Sequence, residues 1–191
     1  MTDDTRRFGT RCVHAGQEEP DPATGSRAPP IYQTSSYVFD DDEHAAELFA
    51  LEAEPMAYAD AYTGKNIYSR IMNPTTMMLE NRLATMEGGV GCMTTASGMA
   101  SLDLATFLLA ASGDNIVTAS ALYGGTYTYF THTASRRGIE ARFVDTLDYE
   151  GYKEAIDEDT AYVHVETIGN PALVTPDLER LADIAHDNGV P

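Results

Sequence analysis

The 191 residues of this chain are 43% apolar, enough for one domain with a real core. Thirty acidic residues against twelve basic ones leave a net charge of −18, a balance that repels phosphate backbones and anionic lipid. Nucleic acid and membrane are therefore poor candidates as partners. The acidic residues are spread along the chain, as on a surface adapted to high salt or on a simply acidic protein. Cys12 and Cys92 form no C-x-x-C pair, which suits reduced thiols and a cytoplasmic location. The start, Met1 to Thr5, is acidic and polar, unlike a signal peptide, and no apolar run reaches the roughly 18 residues of a membrane span.

In chain order, residues 1–66 read as an irregular arm, with Pro20, Pro22, Pro29 and Pro30 interrupting any long element. Such an arm wraps a neighbour, covers a site, or is a disordered leader. A short helix is expected over Asp42 to Leu51, and Glu52 to Asn66 reads as a loop or insertion. From Pro74 the rhythm changes: Leu79, Leu83 and Met86 recur at helical spacing until Gly88-Gly89 stops the helix. Strands are expected at Cys92 to Thr95, Asn115 to Ala119, Ile139 to Val144 and Ala161 to Val165. Helices are expected between them at Gly98 to Ala111, Thr126 to Arg137 and Tyr149 to Asp157. A last helix starts after Thr175 as cap and Pro176 in its first position, with Leu178, Leu181, Ala182 and Ala185 on one face before Gly189. Strands alternating with helices predict an α/β fold with a parallel sheet covered on both faces, over residues 67–191.

Four segments carry candidate chemistry. Ser97-Gly98-Met99 stands between a strand and a helix, where unpaired N–H groups and the positive dipole end favour a phosphate; the simpler reading is an ordinary N-cap. Tyr123-Gly124-Gly125 follows the next strand, at the carboxyl edge where open α/β sheets bind ligands. Its ring could stack on a flat ligand or merely plug the sheet edge. Glu166 to Pro171 sets a carboxylate and the amide of Asn170 around a proline-fixed turn, over a pocket or as a plain turn. In Tyr68-Ser69-Arg70, Arg70 suits a phosphate clamp with the Tyr68 hydroxyl beside it, or is a surface arginine. The five histidines show no ligand spacing, so no metal site is expected.

YSRIMNPT, LENRLATMEGG, SGM, LYGGTY, ETIGNP and DIAHDNGVP follow one another along the chain, preceded by VHAGQ near His14. This succession resembles the pyridoxal-phosphate enzymes of cysteine and methionine metabolism, and the likeness covers essentially the whole chain. Within the family, RIMNPT and ETIGNP are most similar to the O-acetylhomoserine sulfhydrylase branch. Cystathionine γ-synthases and lyases more often carry a Ser-Pro-Thr-Asn-Pro-like turn in place of Thr167 to Pro171. Methionine γ-lyases tend to have Cys where Gly125 stands.

The resemblance implies a fold-type I, aspartate-aminotransferase-like enzyme, with an amino-terminal arm and part of the large parallel-sheet domain. It implies pyridoxal 5'-phosphate as cofactor and a γ-replacement on O-acetyl-L-homoserine by sulfide or a thiol, giving homocysteine or methionine. Gly98 and Met99 would bind the cofactor phosphate through backbone N–H groups, with Ser97 beside them. Tyr123 would stack on the ring and assist proton transfer or departure of the leaving group. Tyr68 and Arg70 would reach the phosphate of a neighbouring subunit in a homo-oligomer, a tetramer by family habit. Asn170 would contact the ring's 3-hydroxyl side and the substrate, and Glu166 would support that edge of the pocket.

Two departures stand out. The loop Glu52 to Asn66 looks longer than the family's. The family's V-D-N-T and S-A-T-K segments, with the pyridinium-holding Asp and the Schiff-base Lys, would fall beyond Pro191. The chain's two lysines, Lys65 in a polar loop and Lys153 on a charged helix face, are poor substitutes. The expectation is thus an amino-terminal portion of an enzyme, inactive alone. The alternatives are another γ-synthase or γ-lyase of the family, or a non-catalytic module pairing with a full-length relative.

Overall fold

The computed structural model describes residues 6–50 and 66–191, so the expected insertion Glu52 to Asn66, with Lys65, lies outside the described residues except for Asn66. The chain divides into two compact units, one ending at Thr94 and the other running from Thr95 to Pro191. The sequence reading instead draws its boundary after residue 66. The helix that follows Asn73 explains the difference, because it packs with the arm.

Within the first unit, α1 (Phe8–His14), unforeseen from sequence, packs on α3 (Pro74–Glu87). Arg11 Nη1 donates to the Thr85 carbonyl at 3.0 Å, and Arg82 Nε donates to the Ala15 carbonyl at 2.9 Å. At its start α3 is capped by Asn73, whose Oδ1 accepts from the Thr75 N–H at 2.9 Å, with Pro74 at the first position. It ends at Gly88, whose φ of 69° is the left-handed conformation that stops helices at little cost to glycine. The arm is tied to the same helix where the Tyr32 N–H donates to Thr75 Oγ1 at 2.9 Å, and to the segment before it where Ser36 bridges antiparallel to Tyr68. The helix expected from Asp42 is α2 (Asp42–Ala50).

The second unit is built on a three-stranded parallel sheet in the order β2-β1-β3, with β1 at Asn115–Ala119, β2 at Glu140–Val144 and β3 at Thr160–His164. Ile116 pairs with Ala141 on one side and with Tyr162 on the other. All five residues of β1 are buried, as the centre of a parallel sheet demands. Ile116, Val117, Phe130, Tyr152, Leu181 and Ile184 anchor one apolar core between the sheet and the helices around it. Those helices are α4 (Gly98–Leu109), α5 (Gly124–Thr128), α6 (Tyr149–Ala155) and α7 (Leu178–Asp187).

Three expectations give way. Cys92 to Thr95 is not a strand, because the Thr94 N–H and hydroxyl both donate to Glu80 Oε1 at 2.8 Å instead of joining a ladder. The helix expected from Thr126 starts earlier, at Gly124, and widens into a π-helical turn over Tyr129–Ala134. The wider turn lets Tyr129, Phe130 and Ala134 all face the core. Finally, α7 is capped by Asp177, which accepts from the Arg180 N–H at 3.2 Å, rather than by Thr175. The buried Pro176 precedes that cap, and Ile184 replaces the exposed Leu178 on the buried face.

Candidate functional site

The second unit holds a cavity of about 430 Å³ where the carboxyl ends of β1 and β3 meet the start of α4. Ser97, Gly98, Met99 and Leu102 of α4 form one wall; Tyr123, Thr126, His164 and Glu166 complete it. Its size falls within the range of small-molecule and cofactor sites.

On the α4 wall, Ser97 acts as N-cap, its Oγ accepting from the Ala100 N–H at 3.1 Å. That leaves the first two donors, the Gly98 and Met99 N–H groups, without a protein acceptor among the described residues, as helix geometry requires. No atom stands within 4 Å of where a Gly98 Cβ would be, so the approach to those donors is open. An anion fits there, on the positive end of a 12-residue helix.

Opposite, the Glu166 carboxylate accepts from the Tyr123 N–H through Oε1 at 2.9 Å and Oε2 at 3.1 Å, and from Thr126 Oγ1 at 3.3 Å. The Tyr123 ring, 54% exposed, folds over Gly125, where a Cβ would overlap it. Only glycine leaves room for that ring position.

His164 lies behind this edge. Its Nδ1 is 3.2 Å from Thr118 Oγ1 on β1, and the Phe130 ring stands edge-on to it at 5.1 Å between centroids. Burial pulls the imidazole below its usual pKa, an effect partly opposed by the Glu166 charge. Sequence reasoning missed His164; the signal available was its place two residues before Glu166, on the same face of an extended segment.

Ser97, Gly98, Met99, Tyr123 and Glu166 are thus brought together, whereas Asn170 is exposed and does not line the cavity. Asn170 follows the buried Gly169, in a loop closed by the Gly169 N–H donating to the Val174 carbonyl at 2.7 Å. Tyr68 and Arg70 belong to the first unit, where the guanidinium donates to the phenol oxygen and lies 5.0 Å from the ring centroid. No carboxylate pairs with Arg70 among the described residues. Lys153 sits on α6, ion-paired with Glu150 at 2.9 Å, and does not line the cavity. Among the described residues no group of three or more His, Cys, Asp or Glu side chains could hold a metal.

The sequence profile of the Cys/Met metabolism PLP-dependent enzymes matches residues 9–191. The chain belongs to that family. It is 51% identical over 185 residues to O-acetyl-L-homoserine sulfhydrylase 1 of Thermus thermophilus, covering 96% of this chain and 41% of that protein. It is 48% identical over 191 residues to homocysteine synthase of Schizosaccharomyces pombe, covering 100% of this chain and 42% of the relative. A crystal structure of a Campylobacter jejuni protein described as a putative O-acetylhomoserine (thiol)-lyase superposes with a TM-score of 0.85 at 34% identity. That match covers 97% of this chain and 43% of the other, which carries N'-pyridoxyl-lysine-5'-monophosphate. The chain therefore spans about two-fifths of the length of these relatives, and its α/β unit has the fold of the corresponding portion of fold-type I PLP enzymes.

The cavity suits the family's cofactor. Open N–H donors at the α4 start match a phosphate, the Tyr123 ring offers a flat apolar face, and Met99 with Leu102 supplies apolar wall.

Proposed function

We propose that this chain forms the cofactor-holding part of an enzyme that replaces the acetate of O-acetyl-L-homoserine with sulfide or a thiol, giving homocysteine or methionine. The observation that carries the reading is the joining, in one cavity, of unpaired N–H donors at the α4 start with the ring of Tyr123. The named relatives direct it to this substrate.

Gly98 and Met99 hold the phosphate through their N–H groups, with Ser97 preparing that turn. Bound pyridoxal phosphate supplies an electron sink for the substrate, which allows a group to leave its γ-carbon. Tyr123 stacks on the ring, and its hydroxyl holds or passes a proton near the leaving group. Glu166 keeps its edge of the pocket in place. Tyr68 and Arg70 serve the phosphate of a neighbouring subunit in a homotetramer, a role supported by the exposure of Arg70 and its lack of a described carboxylate partner. A cytoplasmic location agrees with the reaction, and a charge of −18 supports a salt-adapted host.

Given O-acetyl-L-homoserine and sulfide, the protein carrying this chain should release acetate and homocysteine in equal amounts. Faster formation of cystathionine from cysteine would assign it to the cystathionine γ-synthases, and release of a 2-oxo acid without any sulfur donor to the γ-lyases. For the shared site, Arg70→Ala mixed with a variant lacking the Schiff-base lysine should regain activity in hybrid oligomers. No recovery in demonstrably mixed oligomers rejects it.

A further inference from the structure

Tyr123 occupies the N-cap position of α5, yet its side chain makes no capping hydrogen bond. The helix opens on two glycines, so its first turn has little intrinsic stability even though it runs on into the π-helical turn. Something outside the helix must hold its first turn. The atoms that do so are on the segment after β3: both oxygens of Glu166 take the Tyr123 N–H, and Oε1 also takes the Thr126 hydroxyl. Thr126 is buried and the Glu166 carboxylate is part of the cavity wall. Carboxylate acceptors make stronger hydrogen bonds than neutral ones, and a negative charge suits the start of a helix.

We infer that Glu166 is a positioning residue: it caps α5 from across the sheet and thereby fixes the backbone on which the Tyr123 ring stands at the cavity. Acting through Tyr123, it needs no contact with ligand or substrate. Gly125 completes the device, since its missing side chain lets the ring lie over the first turn that Glu166 has set. Two segments 43 residues apart in sequence thus share one joint.

The inference rests on the proposed function only for the identity of the ligand, so its test has one arm that needs no ligand. In the full protein, amide exchange followed by mass spectrometry should show residues 123–126 exchanging ~10-fold faster in Glu166→Ala, as the loss of charge-assisted bonds implies. Glu166→Gln, which keeps an acceptor oxygen, should restore protection to within about threefold. Unchanged exchange in Glu166→Ala, or equal exchange in both variants, overturns the inference. In the second arm, pyridoxal phosphate is titrated into a double-mutant cycle. Glu166→Ala should weaken binding ~10-fold when Tyr123 is present and less than about twofold in a Tyr123→Ala background. Equal losses in both backgrounds overturn the positioning role. If no variant binds pyridoxal phosphate, the proposed function fails and the exchange arm alone decides the inference.

Discussion

The hydroxyl of Tyr162 lies 2.6 Å from Thr106 Oγ1, joining β3 to α4, with both residues buried. Tyr162→Phe removes one partner and leaves the Thr106 hydroxyl without it in the core. The expected cost is about 1–3 kcal/mol, read as a lower urea midpoint with an unchanged slope. Burial pushes the Tyr162 phenol up to about 12, so this bond stays intact through neutral and mildly alkaline pH.

Tyr152 is the counter-case. It is fully buried, and its hydroxyl has no hydrogen-bond partner among the described residues. Tyr152→Phe keeps the ring in the core and removes the unpaired polar atom. Stability is expected to stay level or rise by about 1 kcal/mol, checked in the same urea titration.

Gly169 is packed against the segment that follows β1. A Cβ there would lie 2.7 Å from the Ala121 carbonyl oxygen and 2.9 Å from Ala121 Cβ. The obstruction includes backbone, so it cannot swing aside as the tip of a side chain can. Gly169→Ala is expected to lower stability by about 1–3 kcal/mol and to displace the loop bearing Asn170. Thermal melts give the first effect, and amide exchange over residues 167–174 gives the second.

His164 sets a pH dependence. Burial lowers its folded-state pKa below the ordinary 6.5, so the unfolded chain takes up the proton first as pH falls. Stability from this group is therefore full above about pH 6.5 and declines from there down to the lowered folded value, below which it levels off. His164→Gln should flatten that part of the stability curve. An unchanged slope between about pH 6.5 and 5 would mean that the imidazole titrates normally.

Asp157 acts at the acid end. Hydrogen bonds from Arg142 at 2.5 Å and Asn115 at 2.8 Å hold its carboxyl at about 2, below the ordinary 3.8. Its contribution is present above about pH 3.8 and is lost as pH falls toward the folded value. Asp157→Asn should remove that portion of the acid transition, measured by circular dichroism from neutral pH downward.

Much of this organisation was legible in local residue patterns. Apolar runs bounded by turn residues located β1, β2 and β3 to within a residue, because buried parallel strands show continuous hydrophobicity. Pro74 and Gly88 marked the ends of α3, since a proline at the first position and a glycine stop are local chemistry. The segment at Cys92 misled, for its fate depends on Glu80, 14 residues away from Thr94. Asp177 displaced Thr175 as the α7 cap for a similar reason: the Asp177 N–H is held by the Tyr149 hydroxyl at 2.9 Å, which sets where the helix starts.

The candidate site divides along the same line. Tyr123 was readable because the carboxyl edge of a parallel sheet collects helix starts, and Ser97, Gly98 and Met99 because a serine cap followed by glycine is a local helix-start signal that needs no strand before it. By itself the sequence determined the chain's family, its strand-and-helix rhythm and the residues at that edge. Only the tertiary structure decided that His164 joins them, that Asn170 stays outside the cavity, and that Glu166 spends its carboxylate on Tyr123. The physical reason is that a hydrogen bond between segments 43 residues apart depends on how β1 and β3 align in the sheet, and pairing register is a property of the assembled sheet rather than of either strand.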